Sequence, residues 1–454
     1  MKKLTNDNPF SKRIKLMRAC FLISLIVLTG LSCHFNPKRA DQTSPTSNRW
    51  EIKNGKFYLN GEWVFLKIAK PLIDFSNEDQ VNRLIENLDM LEGKHYNTIE
   101  MNCYWHHFDT DGDGVPDKST EPLNKLINVI YDKGMYPCLS VETYSVGGGQ
   151  IPEGFWNLYP DAYAIDDKGK RVRDTEYGFG NDVISIFHPG YRETARRYIR
   201  NLAKGVDTEK ILYFETTVEP QYMGAINLCY SEYAKNEYHR WRTANRITDA
   251  GSEMPGSFPI PESFIKNETW NKFRAQFLPD WINGDAAAYR EVAGKDAYVA
   301  VDYLDANEQE QQRRDGNPAE FLAHLTSANI IQVNWSWYFS EDKPNQKAYD
   351  RVWQVMKQHD RDWAVSEHMT FNGSDFIQYT DDRLKDILNN TIRQSTRFGW
   401  EFVSVTNNSQ SSFCLYEDDW APKRVIGIVD NNWDYWLDQI RMAEEQIGTG
   451  SDNY

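Results

Sequence analysis

Two glutamates in this sequence stand where a pair of carboxyl groups could cleave a glycosidic bond. Glu219 follows the fourth of eight apolar runs along the chain, and Glu367 follows the seventh. Retaining cleavage needs one protonated carboxyl group that donates to the leaving oxygen and one ionised group, about 5–5.5 Å away, that attacks the anomeric carbon. Strand order predicts Glu219 as the acid/base and Glu367 as the nucleophile. A lone glutamate at a strand end is more often a capping or ion-pair residue, so the prediction depends on their joint placement.

Other carboxyl groups compete for these roles. Glu215 lies on the same alternating face as Glu219 but deeper in the run, and Glu401 stands at the start of its run. Glu142 ends the third run and is predicted as a further ligand of the substrate. A barrel hydrolase that uses Glu215 or Glu142 instead of the predicted pair is an alternative within the enzymes.

The elements that must position these residues alternate along the chain. Eight short apolar runs, each typical of a strand covered on both faces, are followed by helical patterns with apolar residues at i, i+3 and i+4. The runs are 64–69, 97–103, 136–142, 211–218, 297–303, 328–334, 362–366 and 400–406. The helical patterns include 78–92, 190–204, 346–358, 381–397 and 434–446. This alternation predicts an α/β fold, a closed (β/α)8 TIM barrel.

Two further sequence features refine this prediction of the fold. No Gly-x-Gly-x-x-Gly motif follows the first run, which argues against an open dinucleotide-binding sheet. Asn54-Gly55 and Asn60-Gly61 are hairpin turn signals that precede the barrel. We therefore expect a small N-terminal β-hairpin cap at the bottom of the barrel.

The loops that follow the strands of such a barrel form its catalytic face. Trp105 and Trp337 are predicted as platforms on which a sugar ring stacks, although packing in the upper core is an equal alternative. His106 and His107 would point in opposite directions on a strand, so we expect a polar lining rather than a metal site. The predicted substrate-binding residues are Tyr104, Trp105, His106, Glu142, Tyr144, Trp156, Tyr222, Trp335, Trp337 and His368.

Four segments resemble the family 42 β-galactosidase barrel, which belongs to the clan of retaining (β/α)8 glycosidases. They are Tyr96–Trp105, Pro152–Asp161, His188–Arg192 and Tyr213–Tyr222. Glutamates that end strands four and seven are the hallmark of that clan. The resemblance implies a retaining O-glycosyl hydrolase that acts on a carbohydrate and needs no organic cofactor.

The sequence departs from this resemblance at two positions. Val218 stands where the clan carries an asparagine that binds the sugar 2-hydroxyl, and Glu100 stands where family 42 carries an arginine. The departures imply an altered handling of the sugar, such as a mannoside or a 2-acetamido sugar, or a loss of activity. The alternative outside the enzymes is a non-catalytic carbohydrate-binding lipoprotein on a degenerate glycosidase barrel.

An acidic segment after the second run resembles the first half of a calcium loop. Asp109, Asp111 and Asp113 alternate, Gly114 is sixth, and Asp117 follows, but the twelfth position is Thr120 rather than glutamate. We expect a structural Ca²⁺ site rather than a regulatory one. An acidic surface turn without a metal is the alternative.

The N-terminus is typical of a bacterial lipoprotein signal. Basic residues up to position 18 precede the apolar segment 19–28, which is too short to span a bilayer comfortably, and Cys33 follows. We predict a signal peptide over 1–33 ending at the lipidated Cys33, a flexible tether over 34–48, and the catalytic barrel over 49–454. The protein would then lie in the bacterial cell envelope, facing the periplasm or the cell surface, and contact the membrane through its lipid alone. An ordinary secretory signal or an uncleaved anchor is the alternative.

Charge and cysteine usage exclude two other classes of site. The net charge of −15 would repel nucleic acid, so we expect no nucleic-acid partner. Cys103, Cys138, Cys229 and Cys414 are scattered without the spacing of a zinc site. Four buried free thiols are expected, with a bridge between Cys103 and Cys138 left open.

Overall fold

The computed structural model describes most of the predicted barrel. The described residues are 50–144, 151–173, 182–216, 218–222, 227–304, 314–334, 346–369, 380–394, 399–406 and 414–449. Only the backbone is described at 346, 367–369, 390–394 and 443–449. The predicted signal, Cys33, the tether, Trp335 and Trp337 lie outside the described residues. Within those residues, no helix has the length and apolar character that crossing a membrane requires.

The predicted N-terminal cap is a small antiparallel sheet. Its strands are β1 Trp50–Lys53, β2 Lys56–Leu59 and β3 Glu62–Val64. In the first turn Asn54 and Gly55 have φ angles of 51° and 77°, the left-handed values that a two-residue hairpin turn needs. Phe57 is fully buried in a cluster with Leu66 and Ile68, at the starting ends of the barrel strands. The cap therefore closes the bottom of the barrel.

Eight parallel strands form a closed barrel, which confirms the predicted fold class. They are β4 Leu66–Lys70, β5 Thr98–Tyr104, β6 Tyr136–Glu142, β7 Tyr213–Glu215, β8 Tyr298–Leu304, β9 Ile330–Asn334, β10 Ala364–Met369 and β11 Gly399–Val403. Each strand overlaps its predicted run. The last strand pairs with the first, from Gly399 beside Leu66 to Val403 beside Lys70, and this pairing closes the ring.

Helices cover the outside of the barrel. They are α1 Glu78–Glu86, α2 Leu88–Gly93, α3 Trp105–Phe108, α4 Glu121–Asp132, α5 Glu153–Leu158, α6 Pro189–Lys204, α7 Glu232–Ala244, α8 Glu262–Ile265, α9 Glu268–Ala293, α10 Pro318–His324, α11 Gln346–Gln358, α12 Asp381–Gln394, α13 Arg424–Asp430 and α14 Trp433–Thr449. The predicted helix 78–92 is divided at Asn87, whose φ of −103° and ψ of 2° end α1. The other predicted helices end within a few residues of their expected limits.

The helix α6 shows why these segments become helical. Its apolar and small residues recur at helical spacing, and this face is buried against the barrel. The ring Nδ1 of His188 accepts a hydrogen bond from the backbone N–H of Tyr191 and caps the first turn. Pro189 stands at the start, where a missing N–H carries no penalty. α9 packs alongside α6, joined by the ion pair between Arg196 and Asp285.

The four described cysteines are buried free thiols, as predicted. Cys103 belongs to the core between strands and helices, whereas Cys138 belongs to the cluster inside the barrel. Their side chains lie on opposite faces of neighbouring strands, because successive residues of a strand alternate in direction. A bridge between them, the open alternative, is therefore ruled out by the strand geometry.

Candidate active site

A layer of charged side chains fills the barrel below its mouth. Lys70, the last residue of β4, places Nζ 2.8 Å from Oε1 of Glu100, 2.6 Å from Oε2 of Glu215 and 3.2 Å from Oε1 of Glu401. All four side chains are buried. The amide of Gln332 on β9 donates hydrogen bonds to Glu100 and Glu401. We call Lys70, Glu100, Glu215, Glu401 and Gln332 the lower layer.

The lower layer carries three carboxyl groups around one ammonium. Burial alone would lower the pKa of Lys70, but the three carboxylates outweigh it and hold that pKa well above its ordinary value. Burial, reinforced by repulsion from Glu100, raises the pKa of Glu215 well above its ordinary value even though Lys70 opposes the shift. Glu215 and Glu401 both lie beside Lys70 in this buried layer. Both glutamates that compete with the predicted catalytic pair therefore lie beneath the mouth of the barrel.

Glu219 lies at the mouth itself, four residues beyond the end of β7. Its side chain is buried to 9% exposure, and its φ of 49° places it in the left-handed region, which is uncommon for a residue with a Cβ. Its backbone N–H donates to Oδ2 of Asp302 on β8 at 3.1 Å. The amide of Asn334 on β9 lies 3.4 Å from Oε1 of Glu219 and 3.1 Å from the same oxygen of Asp302. A strained backbone at a barrel mouth is characteristic of functional sites.

Glu142 ends β6 on another side of the mouth. It is 1% exposed, and its Oε1 accepts a hydrogen bond of 2.8 Å from the amide of Asn102 on β5. Burial raises the pKa of Glu142 to about 8, with Glu219 and Asp302 adding to the shift and Lys70 and Asn102 opposing it. This shift favours the neutral carboxylic acid of Glu142 at pH 7. We call Glu142, Glu219 and Asp302 the mouth group.

Glu367 lies in β10, and its backbone pairs with Val333 of β9 and Trp400 of β11. Both neighbours pack in the core between strands and helices. The next position, 368, pairs with Glu401 of the lower layer. The pairing of its backbone therefore does not by itself show that Glu367 reaches the mouth. The side chains of Glu367 and His368 lie outside what the structure describes. The assignment of Glu367 as nucleophile stays a prediction.

Three predicted sugar-binding aromatic residues are core residues instead. Trp105 is fully buried, stacks on Tyr198 and donates through Nε1 to Asp109 at 2.7 Å. Tyr144 and Tyr222 are also buried, and their hydroxyl groups donate to the backbone carbonyls of Gln221 and Arg274. Of the two alternatives for Trp105, core packing is the correct one. The rings of these three residues pack in the core, so none of them offers an accessible face on which a sugar could stack.

Other predicted ligands keep a partly accessible position. Tyr104 and His106 are half-buried, as is Trp156, which lies beside Phe155 in α5. The strand ends at Tyr104, and the one-turn helix α3 carries both histidines, whose ring centroids are 4.3 Å apart. The expectation that His106 and His107 point in opposite directions was wrong, because it assumed that the strand continues.

The acidic loop after α3 brings together three of its four predicted carboxylates. Asp109, Asp111 and Asp117 each offer an oxygen within 4.8 Å of the others, whereas Asp113 lies outside this group. Asp109 is buried and accepts hydrogen bonds from the backbone N–H groups of Gly112 and Gly114, both at 2.7 Å. The three oxygens match the hard ligands that Ca²⁺ prefers. Three of the four carboxylates predicted to bind Ca²⁺ are therefore close enough together to share one ion.

Sequence reasoning missed four residues that build the lower layer and the mouth. Lys70, Asn102, Asp302 and Asn334 are buried polar residues of the barrel strands. Each falls in the C-terminal half of its strand, where a polar residue on the inward face is unexpected unless it serves a site. Buried polar groups need hydrogen-bond partners, and this requirement was the available signal.

Fold and site together define a (β/α)8 barrel similar to that of glycoside hydrolase family 42. Residues 107–249 match the model of that family, which is described as beta-galactosidase. None of the curated proteins matches the sequence.

Solved β-galactosidase structures share the fold. Gan42B, a family 42 enzyme of G. stearothermophilus, aligns with a TM-score of 0.61 and 14% identity, over 87% of this chain and 59% of its own. The enzyme of the psychrophilic Marinomonas ef1 gives a TM-score of 0.60 and 12% identity, over 85% and 61%. The cold-adapted enzyme of Rahnella sp. R3 gives 0.60 and 10%, over 84% and 57%. The chain thus spans about three fifths of the length of these structures, and such low identities establish the fold alone.

Proposed function

We propose that this protein is a retaining glycoside hydrolase that cleaves a β-glycosidic bond in an oligo- or polysaccharide. The observation that carries the proposal is Glu219, a buried carboxyl group at the barrel mouth whose backbone and side chain are held by Asp302 and Asn334. The similarity of residues 107–249 to the family described as beta-galactosidase supports the same class of reaction.

The proposed reaction has two steps. In the first, Glu219 donates its proton to the glycosidic oxygen while the carboxylate of Glu367 attacks the anomeric carbon, which expels the aglycone and forms a glycosyl ester. In the second, Glu219 removes a proton from water, and the water oxygen displaces Glu367 at the same carbon. Two inversions give net retention and restore both carboxyl groups to their starting states.

The two departures from the family pattern shape the expected sugar. Val218 is 6% exposed and has an aliphatic side chain, so it offers no hydrogen bond to a 2-hydroxyl group. Glu100 is bound to Lys70 in the lower layer. We therefore propose that the site accepts a different configuration or substituent at C2, as in a mannoside or a 2-acetamido sugar. Hydrolysis confined to gluco- and galacto-configured substrates would contradict this choice.

The test is a panel of aryl β-glycosides given to the protein without its first 48 residues. The Glu219→Gln and Glu367→Ala variants should each lose about 10²–10⁴-fold or more in rate, the range attributed to acid–base groups. The matched control is Glu262→Gln, because Glu262 is an exposed residue of α8 that pairs with Lys266 on the surface. The control should retain full activity.

Added azide distinguishes the two carboxyl groups. In the Glu219→Ala variant azide attacks the glycosyl ester and yields a β-glycosyl azide, whereas in Glu367→Ala it replaces the nucleophile and yields the α-anomer. Identifying the anomers by NMR assigns each role. If Glu367→Ala keeps its activity, the nucleophile is another carboxyl group of the mouth.

One observation favours a second candidate, a carbohydrate-binding protein without activity. Glu100 stands where family 42 carries an arginine, and it pairs with Lys70 inside the barrel. This pair does not replace the positive charge of that arginine as a ligand of the sugar. A binder would retain its affinity for the sugar in isothermal titration after both Glu219→Gln and Glu367→Ala, and the wild-type protein would cleave none of the panel.

We also propose that the chain is held in the cell envelope by a lipid on Cys33. The basic and apolar segments before this residue support the proposal. Metabolic labelling with an alkyne fatty acid should mark the wild-type protein and fail to mark Cys33→Ala. Equal labelling of both would contradict lipidation at this position.

A further inference from the structure

The conformation of Glu219 needs an explanation beyond its position in the sequence. A residue with a Cβ is disfavoured at a φ of 49°, and it keeps such a conformation only where its surroundings over-determine it. Val218 before it and Pro220 after it are buried and offer no side-chain hydrogen bond. Two residues of other strands, Asp302 and Asn334, contact Glu219.

Asp302 supplies the support for the backbone. It lies in β8, fully buried, and its Oδ2 accepts the N–H of Glu219 at 3.1 Å. A charge-assisted hydrogen bond to a carboxylate is stronger than one between neutral groups. This bond fixes the turn that carries Glu219 away from the end of β7 and toward the mouth.

Asn334 supplies the support for the side chain. It ends β9, also fully buried, and its Nδ2 lies 3.1 Å from Oδ2 of Asp302 and 3.4 Å from Oε1 of Glu219. A carboxamide nitrogen has two protons, so it can donate to both oxygens at once. The three contacts form a closed ring in which one carboxylate and one amide hold the backbone and the carboxyl group of Glu219 together.

We propose that Asp302 and Asn334 are positioning residues that orient Glu219 as the proton donor, an inference that rests on the acid/base role proposed above. Because Asn334 donates to Oε1, that oxygen acts as the acceptor in the protonated acid, and the transferable proton is directed to Oε2. The carboxamide that assists the acid comes from β9, two strands away from β7 around the barrel, and position 218 is left to an apolar side chain.

The effect of the ring on proton donation is measured by the leaving group. In Asn334→Ala, kcat/KM for an aryl glycoside with a poor leaving group should fall about 10–100-fold, a part of the contribution of general acid catalysis. For a dinitrophenyl glycoside, whose leaving group needs no proton, the fall should be less than about 3-fold, because the acid step is not needed there. KM should change little for either substrate.

The pH profile adds a second readout. Asn334→Asp places a second carboxylate beside Glu219, so the alkaline limb of kcat/KM should move to higher pH as the proton on Glu219 is held more tightly. A purely structural defect would lower the melting temperature and leave the limb in place. Equal losses on both substrates with an unmoved limb would overturn the proposal.

The matched control is Asn283→Ala on α9. Asn283 also bridges two elements, donating to the carbonyl of His324 and accepting from Ser327, but on the outside of the barrel. It should lower the melting temperature and leave the dependence on the leaving group unchanged.

A crystal structure of Asp302→Ala separates this inference from the proposed function. Glu219 should leave the left-handed region once its N–H has no acceptor, whether or not the protein is an enzyme, and an unchanged φ would overturn the inference. If Asp302→Ala does not fold, Asp302→Leu gives the same test, because it also removes the acceptor while filling the space of the side chain. A wild-type protein that cleaves no glycoside, with Glu219 displaced in the variants, would reject the enzyme while retaining the positioning ring.

Discussion

The barrel holds two groups of carboxyl groups, one above the other, that are stabilised in different ways. In the lower layer Glu100, Glu215 and Glu401 share the ammonium of Lys70, at 2.6–3.2 Å. In the mouth group, the carboxamides of Asn102 and Asn334 donate to Glu142 and to the Asp302–Glu219 pair. An ammonium favours the ionised carboxylate, whereas an amide can donate to a carboxyl oxygen in either protonation state. The lower layer therefore holds its carboxyl groups around one buried cation, whereas the mouth group holds its carboxyl groups with amides that accept either protonation state.

Removing the ammonium gives the largest expected effect. Lys70→Met leaves three buried carboxyl groups without their cation, and we expect the free energy of unfolding to fall by about 3–5 kcal/mol, as when a buried ion pair is broken. Urea denaturation at pH 7 measures the change. Adding Glu215→Gln to Lys70→Met should recover part of the loss, because it removes one of the buried carboxyl groups that have lost their cation. A loss below about 1 kcal/mol for the single variant, the size of a surface pair, would show that the lower layer is largely protonated.

The protonation of Glu142 gives an effect that depends on pH. Its pKa in the folded protein is about 8, above the ordinary value of 4.5, so the folded state binds more protons than the unfolded state between these two values. The stability is fully present below pH 4.5 and declines as the pH rises toward 8, by at most about 1.4 kcal/mol per pH unit from this group.

Glu142→Gln tests this sign. The glutamine variant should show a flatter dependence of unfolding free energy on pH over the same window, as measured by urea denaturation at pH 5, 6.5 and 8. The alkaline limb of its activity should also move to lower pH, because no charge develops beside Glu219 to hold the proton on that acid. If the unfolding free energies of the wild-type protein and Glu142→Gln change equally with pH, the group that takes up the proton is another member of the mouth group.

The loop after α3 carries a third group of carboxylates, which can be compared with the lower layer and the mouth group. Its negative charge would be balanced by a Ca²⁺ ion from solution rather than by a side chain of the protein. We expect a chelator to lower the melting temperature by a few degrees and Ca²⁺ to restore it, since a ligand bound only by the folded state stabilises it. Asp117→Asn should abolish this response, whereas Asp113→Asn should preserve it, because Asp113 lies outside the group of three carboxylates. Differential scanning calorimetry with and without chelator measures both. A melting temperature indifferent to Ca²⁺ would leave the loop as an acidic turn.

The sequence was sufficient to predict the barrel because its signal is repeated. All eight runs became strands and their order gave the ring, since short apolar strands alternating with amphipathic helices have few other arrangements. Glu219 lies at the rim and Glu215 below it, as expected, but alternation along one strand is not the reason, because β7 ends at Glu215.

Contacts between distant strands could not be predicted in the same way. The ion pairs of Lys70 join residues up to 331 positions away, at Glu401, and no local pattern encodes them. Trp105 was misjudged because a buried and an accessible tryptophan at a strand end have the same local sequence. The histidines were misjudged because the strand ends at Tyr104 and the helix α3 carries both of them.

The pairing of β11 with β4 has a consequence for how the protein comes to be folded. The mouth is assembled from strands that lie between these two, yet the ring is closed only when Gly399–Val403 has joined Leu66–Lys70. A chain still in synthesis, or truncated before residue 399, would keep β4 and β10 as open edges, which are templates for aggregation. Folding must therefore await nearly the whole chain, and such long-range closure is slow. The strand that closes the ring contributes Glu401 to the lower layer, so charge compensation and completion of the barrel occur in the same event.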